Sequence, residues 1–599
     1  MTQKTIPGHE LKPLSRSIIP RNMIFVDTET TQETRSNGKT YHKIMLGVGI
    51  YCRHRTDRHS TYKETYRFET PEDFWSWVFS KQLKKTILYV ISHNAVFDFT
   101  ILKHITILTA EGYNCQFVYE GGMRYIGKWR KDNHTIMILD NSNWFAGKLA
   151  RWGRELDLPK LTMPIGVDSR EKWFTYCERD CEILYELSRW YIAFLKDNNL
   201  GSWKYTIASS AFTSYRHRFM KHPIYIPGTC EENDIARDSY HGGRTECFKV
   251  GTYNQGPYYK LDVNSMYPYV MGKESYPTCY EGSFTNPNMD KVRKTLENYC
   301  IIADVTVNTP FPYFCYRKDE RNVYPIGTFR TTLSTEELIL AFDNGWIQTV
   351  HECAVYRKRR IFREYVDFFY GVKTDASAKG KTLLRSFAKL YLNSLYGKFG
   401  QKGYVDYVIG QDSENTIRVS HGYNIQSGRR FTIRQMGKDV LYSERMGEGY
   451  NSFCAIASHV TANARIYLYS LILAIDRRYS YYCDTDSIIV DKNGLEQVES
   501  LLDDTRLGFI KVEGTSEIIN IVAPKHYLFD NHWTVKGVRK DAVKLSENTY
   551  RQEIWPGLNT ILKSGEEVYF NYHQTKTLQP TIISGRVASD GTIEPFTLG

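Results

Sequence analysis

A chain of 599 residues exceeds what one hydrophobic core organises, so several domains are expected. Hydrophobic residues at 42% and charged residues at 24% exclude a mainly disordered chain, and the excess of 11 positive charges suits a polyanionic partner without specifying one. The 12 cysteines are scattered, with no CxxC pair or Cys/His cluster at zinc spacing, which points to a reducing cytoplasm and no disulfide framework. The stretch before Asn22 lacks the apolar core of a signal peptide, and no apolar run approaches a membrane span. A soluble cytoplasmic protein with no membrane partner is therefore expected. Most of the 45 tyrosines read as half-buried surface, although some can stack on bases.

The first 200 or so residues alternate strand and helix patterns: strands at Asn22–Asp27, Thr86–Ser92 and Thr135–Asp140, then a helix at about Ser169–Leu195. Asp27 and Glu29 end the first strand two residues apart, so both carboxylates face one side. Asp98 stands where the second strand meets a helix, preceded by Asn94 and Phe97. Tyr176 and Asp180 lie four apart on the long helix and share a face. Each acid alone reads as a cap or a surface charge. Four together repel one another unless cations neutralise them, and hard oxygen ligands suit Mg²⁺ or Mn²⁺. Two such ions can activate water and stabilise a leaving 3′ oxygen.

A second organised region begins near Tyr240. The segment at about 272–364 carries its own elements, including a helix opened by a capping box from Ser334 to Glu337, with Leu333 and Leu338 placed as a staple. A helix rich in Lys and Arg is expected over Ala378–Lys398, with Lys389, Asn393 and Tyr396 on one face. Lys379, Lys381 and Arg385 extend its positive charge, and a solvated basic helix is the alternative reading of that run. A polar stretch at about 401–450 shows strand-like pieces. A hairpin at about Tyr481–Val490 holds Asp484 and Asp486 at its tip, which alone reads equally well as an ordinary turn. Asp262 ends a strand upstream. Three carboxylates converging from two strands can place two metal ions on a triphosphate and a 3′ hydroxyl.

Together these segments resemble family B DNA polymerases. DTET at Asp27–Thr30, NAVFD at Asn94–Asp98 and YCERD at Tyr176–Asp180 match the three proofreading-exonuclease motifs. DVNSMYP from Asp262, KLYLNSLYG from Lys389 and YCDTDS from Tyr482 match polymerase motifs A, B and C in order. The resemblance implies an α/β multidomain chain: a ribonuclease-H-like 3′→5′ exonuclease domain at 1–201, then a right-hand polymerase. Its palm falls at 202–273 and 449–545, its fingers at 365–403, its thumb at 546–599, and two insertions at 274–364 and 404–448. Carried over, Asp27, Glu29, Asp98 and Asp180 are metal ligands and Tyr176 orients water. Asn94, Phe97 and Ser142 contact the single-stranded 3′ end. Asp262, Val263 and Asp486 hold metal with Asp484 in support. Tyr267 lies under the sugar and selects deoxynucleotides, and Lys389, Asn393, Tyr396, Lys379 and Arg385 bind the dNTP. Ser265, the Tyr240–Gly242–Gly243 loop and the Lys525–Tyr527 pair contact DNA.

Two spacings narrow the resemblance. Motifs A and B are separated by 127 residues and motifs B and C by 87. The resemblance of these long intervals is to protein-primed polymerases of phages, linear plasmids and adenoviruses, as is a DTET motif placed too early for the extra N-terminal domain of many cellular members. A monomer is expected that replicates a linear, viral-type genome with processive strand displacement, started on a terminal protein. A nucleic-acid-primed family B polymerase of repair or plasmid replication, and a degenerate DNA-binding scaffold, are the competing readings. The second is opposed by the complete carboxylate set.

Overall fold

The computed structural model describes residues 6–54, 61–121, 124–582 and 584–599, so the first five residues of the N-terminal stretch lie outside it. The strand Asn22–Thr34 opens on a run, Asn22–Val26, buried on both faces, as expected for the middle of a covered sheet. It pairs antiparallel with Lys39–His54 and parallel with Ile87–Ser92, which in turn pairs parallel with His134–Asp140. The helix Arg170–Asp197 packs on this sheet. Ser169 caps it, its side chain accepting from the Lys172 N–H.

The sheet does not end with the N-terminal residues. Phe570–Tyr572 pairs antiparallel with Lys39–Tyr41, and Thr549–Ile554 continues the ladder beyond it. The segment expected as a separate thumb thus shares hydrogen bonds with the N-terminal sheet. Pairing across more than 500 residues of sequence leaves no local signal.

The central sheet is antiparallel, in the order Thr245–Cys247, Ser480–Asp484, Ser487–Val490, Tyr258–Val263, Ile510–Ser516. Behind it runs the helix Cys454–Ile475, buried throughout Cys454–Arg465. Residues 276–359 form an antiparallel sheet with its own apolar core, centred on Ile301, Val305 and Leu338. The capping box at Ser334 and Glu337 is present, and both Leu333 and Leu338 are buried.

Two sequence expectations change in detail. The basic helix expected over Ala378–Lys398 is interrupted: the helix Arg363–Ala378 ends where it was to begin, and Thr382–Ser394 and Tyr396–Phe399 cover the rest. Gly380, at φ +64°, breaks the first from the second, which puts Lys379 and Lys381 in the connection. The polar stretch forms one long hairpin, Lys402–Asn424 against Arg429–Glu448, rather than short pieces. Among the described residues no helix is long and apolar enough to cross a membrane.

Candidate active sites

The first site lies where the N-terminal strand, the turn after Ser92 and the long helix meet. Asp27 and Glu29 project from one strand, and their carboxylate oxygens and the Cys177 sulfur lie within 4.8 Å of one another. Asp98 is buried, its Oδ1 accepting from the Thr28 N–H at 3.1 Å and the Thr28 hydroxyl at 2.7 Å. Asp180 and Tyr176 face inward from the helix, both buried. Burial, then the fields of Asp180, Asp98 and Glu29, drives the Asp27 carboxyl well above its ordinary range. Burial likewise lifts Glu29 to about 7 and Asp98 to about 8. Asp180 Oδ1 is buried without a hydrogen-bond partner. Acids crowded and dehydrated in this way, with one oxygen orphaned, fit divalent cations.

Two neighbours of this cluster escaped the sequence reading. Lys160, in an irregular stretch before the long helix, forms an ion pair with Asp180 Oδ2 and sits 4.8 Å from the centre of the Tyr176 ring. Its pKa is raised: burial opposes its charge, but the Asp180 carboxylate outweighs it. A lone Lys in a loop carries no periodic signal, so only the fold identifies it. Cys177 donates its S–H to the Asp27 carbonyl at 3.2 Å. Ser142 shares its partner Asp140 with the Asn94 turn. It is 5% exposed and its hydroxyl donates to Asp140 at 2.6 Å, while Asp140 accepts from the N–H groups of Asn94 and Ala95. It is therefore part of the hydrogen-bonded scaffold that fixes the Asn94 turn. Asn94, in a left-handed conformation, is exposed, and Phe97 is half-buried.

The second site is set by strand register. Asp262 lies opposite Ser487, and the Val263 N–H donates to the Asp486 carbonyl at 2.8 Å, so Asp262 near the end of one strand and Asp486 in the turn that opens its neighbour sit together at one end of the sheet. Val263 buries its side chain in the apolar core. Burial, then Asp262, raises Asp486 to about 6. This crowded acid pair, too, fits divalent cations. Asp484 is held differently: the Lys525 ammonium reaches both its oxygens at 2.8 Å, and the Thr245 hydroxyl donates to it at 2.9 Å. Lys511 lies 3.1 Å from Asp262.

The predicted face of Thr382–Ser394 is exposed at Arg385, Lys389 and Asn393, whereas Lys379 is exposed outside that helix. Tyr396 stacks on Tyr267, ring centres 5.0 Å apart and 14° from parallel. Lys373, not singled out by the sequence, donates to the Ser265 hydroxyl at 3.0 Å. Burial and the charges of Lys389, Lys511 and Arg385 lower its pKa to about 8. Tyr527 is buried against Tyr482, whose hydroxyl accepts from the Lys525 N–H. Tyr240 packs against Gly400. Gly242 has open space at its Cβ position, whereas a Cβ on Gly243 would stand 2.9 Å from the Thr485 methyl and 3.0 Å from the Tyr267 hydroxyl.

Arg244, also unmarked in the sequence, is fully buried between the rings of Tyr324 and Tyr469, at 3.9 and 4.1 Å. It bonds Glu246 at 2.6 Å and the Pro312 carbonyl at 2.8 Å, and its own carbonyl accepts from the Thr485 N–H at 2.7 Å. The turn between Asp484 and Asp486 is thus anchored to the 276–359 unit.

The sequence profile of the family described as DNA polymerase type B, organellar and viral, matches residues 161–475. A protein of Ascobolus immersus described as "Probable DNA polymerase" is 28% identical over 386 residues, 62% of this chain and 31% of that protein. The DNA-directed DNA polymerase of Enterobacteria phage PRD1 is 27% identical over 378 residues, 62% of each chain. The chain therefore matches less than two thirds of the length of these relatives. A structure of phi29 DNA polymerase with primer-template DNA and incoming nucleotide substrates superposes with TM-score 0.67 at 18% identity, covering 94% of this chain and 100% of that one, which is a likeness of fold. With its profile spanning more than half of the sequence, the chain belongs to the organellar and viral type B DNA polymerases.

Proposed function

We propose that the protein is a DNA-directed DNA polymerase with a 3′→5′ proofreading exonuclease, and that it starts synthesis on a terminal protein and copies a linear genome with strand displacement. The observation that carries the reading is the register that sets Asp262 beside Asp486, together with the separate carboxylate cluster at Asp27. Two Mg²⁺ or Mn²⁺ ions at each site supply charge neutralisation and an activated oxygen nucleophile. Asp262, Asp486 and the Val263 carbonyl would hold them in the palm, and Asp27, Glu29, Asp98 and Asp180 in the exonuclease.

Arg385, Lys389 and Lys379 draw the triphosphate of an incoming dNTP, and Asn393 and Tyr396 pack on the nucleotide and template base. Tyr267, backed by Tyr396, closes the space beneath the sugar where a 2′ hydroxyl would stand. Lys525 and Tyr527 hold the primer end, with Ser265, Tyr240, Gly242 and Gly243 along the DNA. In the exonuclease Tyr176, beside Lys160, orients water while Asn94 and Phe97 grip the frayed 3′ end. We assign palm, fingers and thumb to 202–273 with 449–545, 365–403 and 546–599. The inserts 274–364 and 404–448 are assigned to the terminal protein and to enclosing DNA, the exonuclease domain to 1–201, and the working form to a monomer in the host cytoplasm.

Replacing Asp484 and Asp486 by Ala is expected to abolish dNTP incorporation and spare 3′ degradation, and replacing Asp27 and Glu29 by Ala to do the reverse. Equal loss of both activities in either variant refutes the two-site assignment. Incubation with labelled dNTP, template and a candidate terminal protein tests priming: no protein–nucleotide adduct leaves the nucleic-acid-primed alternative.

A further inference from the structure

The C-terminal segment does more than extend the N-terminal sheet: it brings an aromatic ring against Phe97, the neighbour of Asp98 in the chain. Three fastenings fix it. Phe570–Tyr572 is in the ladder with Lys39–Tyr41. The Glu567 carboxylate accepts from the Ile105 and Thr106 N–H groups, both at 2.9 Å. From the other side, the Glu120 carboxylate accepts from the Leu558 and Asn559 N–H groups at 2.5 and 3.2 Å. Each acid takes up N–H groups that the first turn of a helix cannot bond itself.

Trp555 lies between these anchors. Its ring centre is 6.0 Å from Phe97, 5.5 Å from His42 and 6.2 Å from Tyr569. Tyr569, almost fully buried, meets Phe97 edge-on at 4.9 Å. Both His42 ring nitrogens are engaged, Nδ1 with the Thr30 hydroxyl at 3.1 Å and Nε2 with Asn571 Oδ1 at 2.9 Å, so the imidazole cannot swing away. The Trp555 N–H is committed to Glu553 at 2.8 Å, and 39% of the residue remains exposed. The result is a fixed aromatic platform, one residue along the chain from Asp98, whose outermost ring is open to solvent.

We infer that Trp555 is a stacking residue for single-stranded DNA, holding a base upstream of the 3′-terminal nucleotide that enters the carboxylate site. This rests on the exonuclease reading of that site. Stacking on an aromatic ring grips a strand through its base faces and is sequence-tolerant, as an editing site requires. Phe97 alone is half-buried, and Trp555 supplies the exposed face beside it.

The test uses the full chain and W555A and W555F variants, with thermal unfolding as a folding control. The substrates are single-stranded oligonucleotides carrying 2-aminopurine at successive positions from the 3′ end. In Mg²⁺, W555A is expected to raise KM for 3′ degradation by about tenfold with kcat changed by less than about twofold, and W555F to restore most of the loss. In EDTA, where nothing is hydrolysed, wild type should quench the fluorescence of an upstream 2-aminopurine and W555A should not. An unchanged KM with unchanged quenching makes Trp555 a packing residue and overturns the inference. A wild-type chain that degrades no 3′ ends overturns the exonuclease reading instead, and the EDTA measurement still decides whether Trp555 stacks.

Discussion

Gly243 illustrates how little room single positions have around the palm carboxylates. An added methyl would stand 2.9 Å from the Thr485 methyl and 3.0 Å from the Tyr267 hydroxyl. Thr485 cannot retreat freely, because it occupies a left-handed turn at φ +62° and its N–H is bonded to Arg244. Tyr267 is backed by Tyr396. Gly243→Ala is therefore expected to shift the Asp484–Asp486 turn and lower kcat for dNTP incorporation by about tenfold or more, equivalent to about 1.4 kcal/mol. Its 3′ degradation should stay near wild type. Steady-state extension and degradation assays check this, and parallel loss of both would show a general folding defect instead. The motif marks this glycine in the sequence, but its reason for being glycine is visible only in space. Lys160 and Lys373 lacked even a motif: each stands in no pattern, and each acquires its role from an acid or hydroxyl brought up by a distant element.

At the scale of elements, the hairpin carrying Asp484 and Asp486 was legible because β-favouring runs flank a two-acid turn. What braces it was not. Arg244 and Glu246 are 0% and 1% exposed, and the guanidinium draws on residues 312, 324 and 469 from two other elements. Removing Arg244 leaves the buried Glu246 carboxylate with only Arg477, 3.5 Å away, and loss of one partner of a buried pair costs about 3 to 5 kcal/mol, whereas removing both together is often near neutral. Arg244→Met should accordingly lower unfolding stability by about 3 to 5 kcal/mol, and the Arg244→Met/Glu246→Met double variant should recover most of it. Chemical denaturation of the single and double variants measures the coupling; additive losses would mean that Arg244 acts by packing alone. Polymerisation should stay impaired in the double variant, since Pro312 loses its donor and the insertion loses its hold on the strand leading to Thr485. The basic helix shows the opposite limit. Its helical period was readable, but Gly380 divides it, because one left-handed residue outweighs the helix propensity on either side.

Across the whole molecule, the N-terminal sheet is the common support. The C-terminal strands extend it, and the long hairpin leans on it through Asp439 and Asp406, which accept from the Cys115 and Val118 N–H groups. The helix Thr382–Ser394 rests on the helix Arg170–Asp197, with the Tyr191 and Tyr391 hydroxyls 3.1 Å apart. A charge imbalance inside this support should therefore be felt as global stability. Glu29 titrates near 7 in the folded chain against about 4.5 when exposed, and Asp98 near 8 against about 3.8. A carboxyl whose folded pKa is raised favours the folded state only while it keeps its proton. Without metal, stability should fall as pH climbs from about 4 through about 8 and then level off. Divalent cations take the ionised acids and reverse the penalty, so the rise in Tm on adding Mg²⁺ should be larger at about pH 8 than at about pH 6. At a hundredfold excess over Kd the stabilisation is about 2.7 kcal/mol, a shift of a few degrees for a chain of this size. Calorimetry with EDTA or Mg²⁺ at the two pH values measures it, and Asp27→Asn/Glu29→Gln should flatten both the pH slope and the metal response. A Mg²⁺-induced shift independent of pH in the wild type would mean that these acids are already ionised without cations, and that something other than metal balances the cluster.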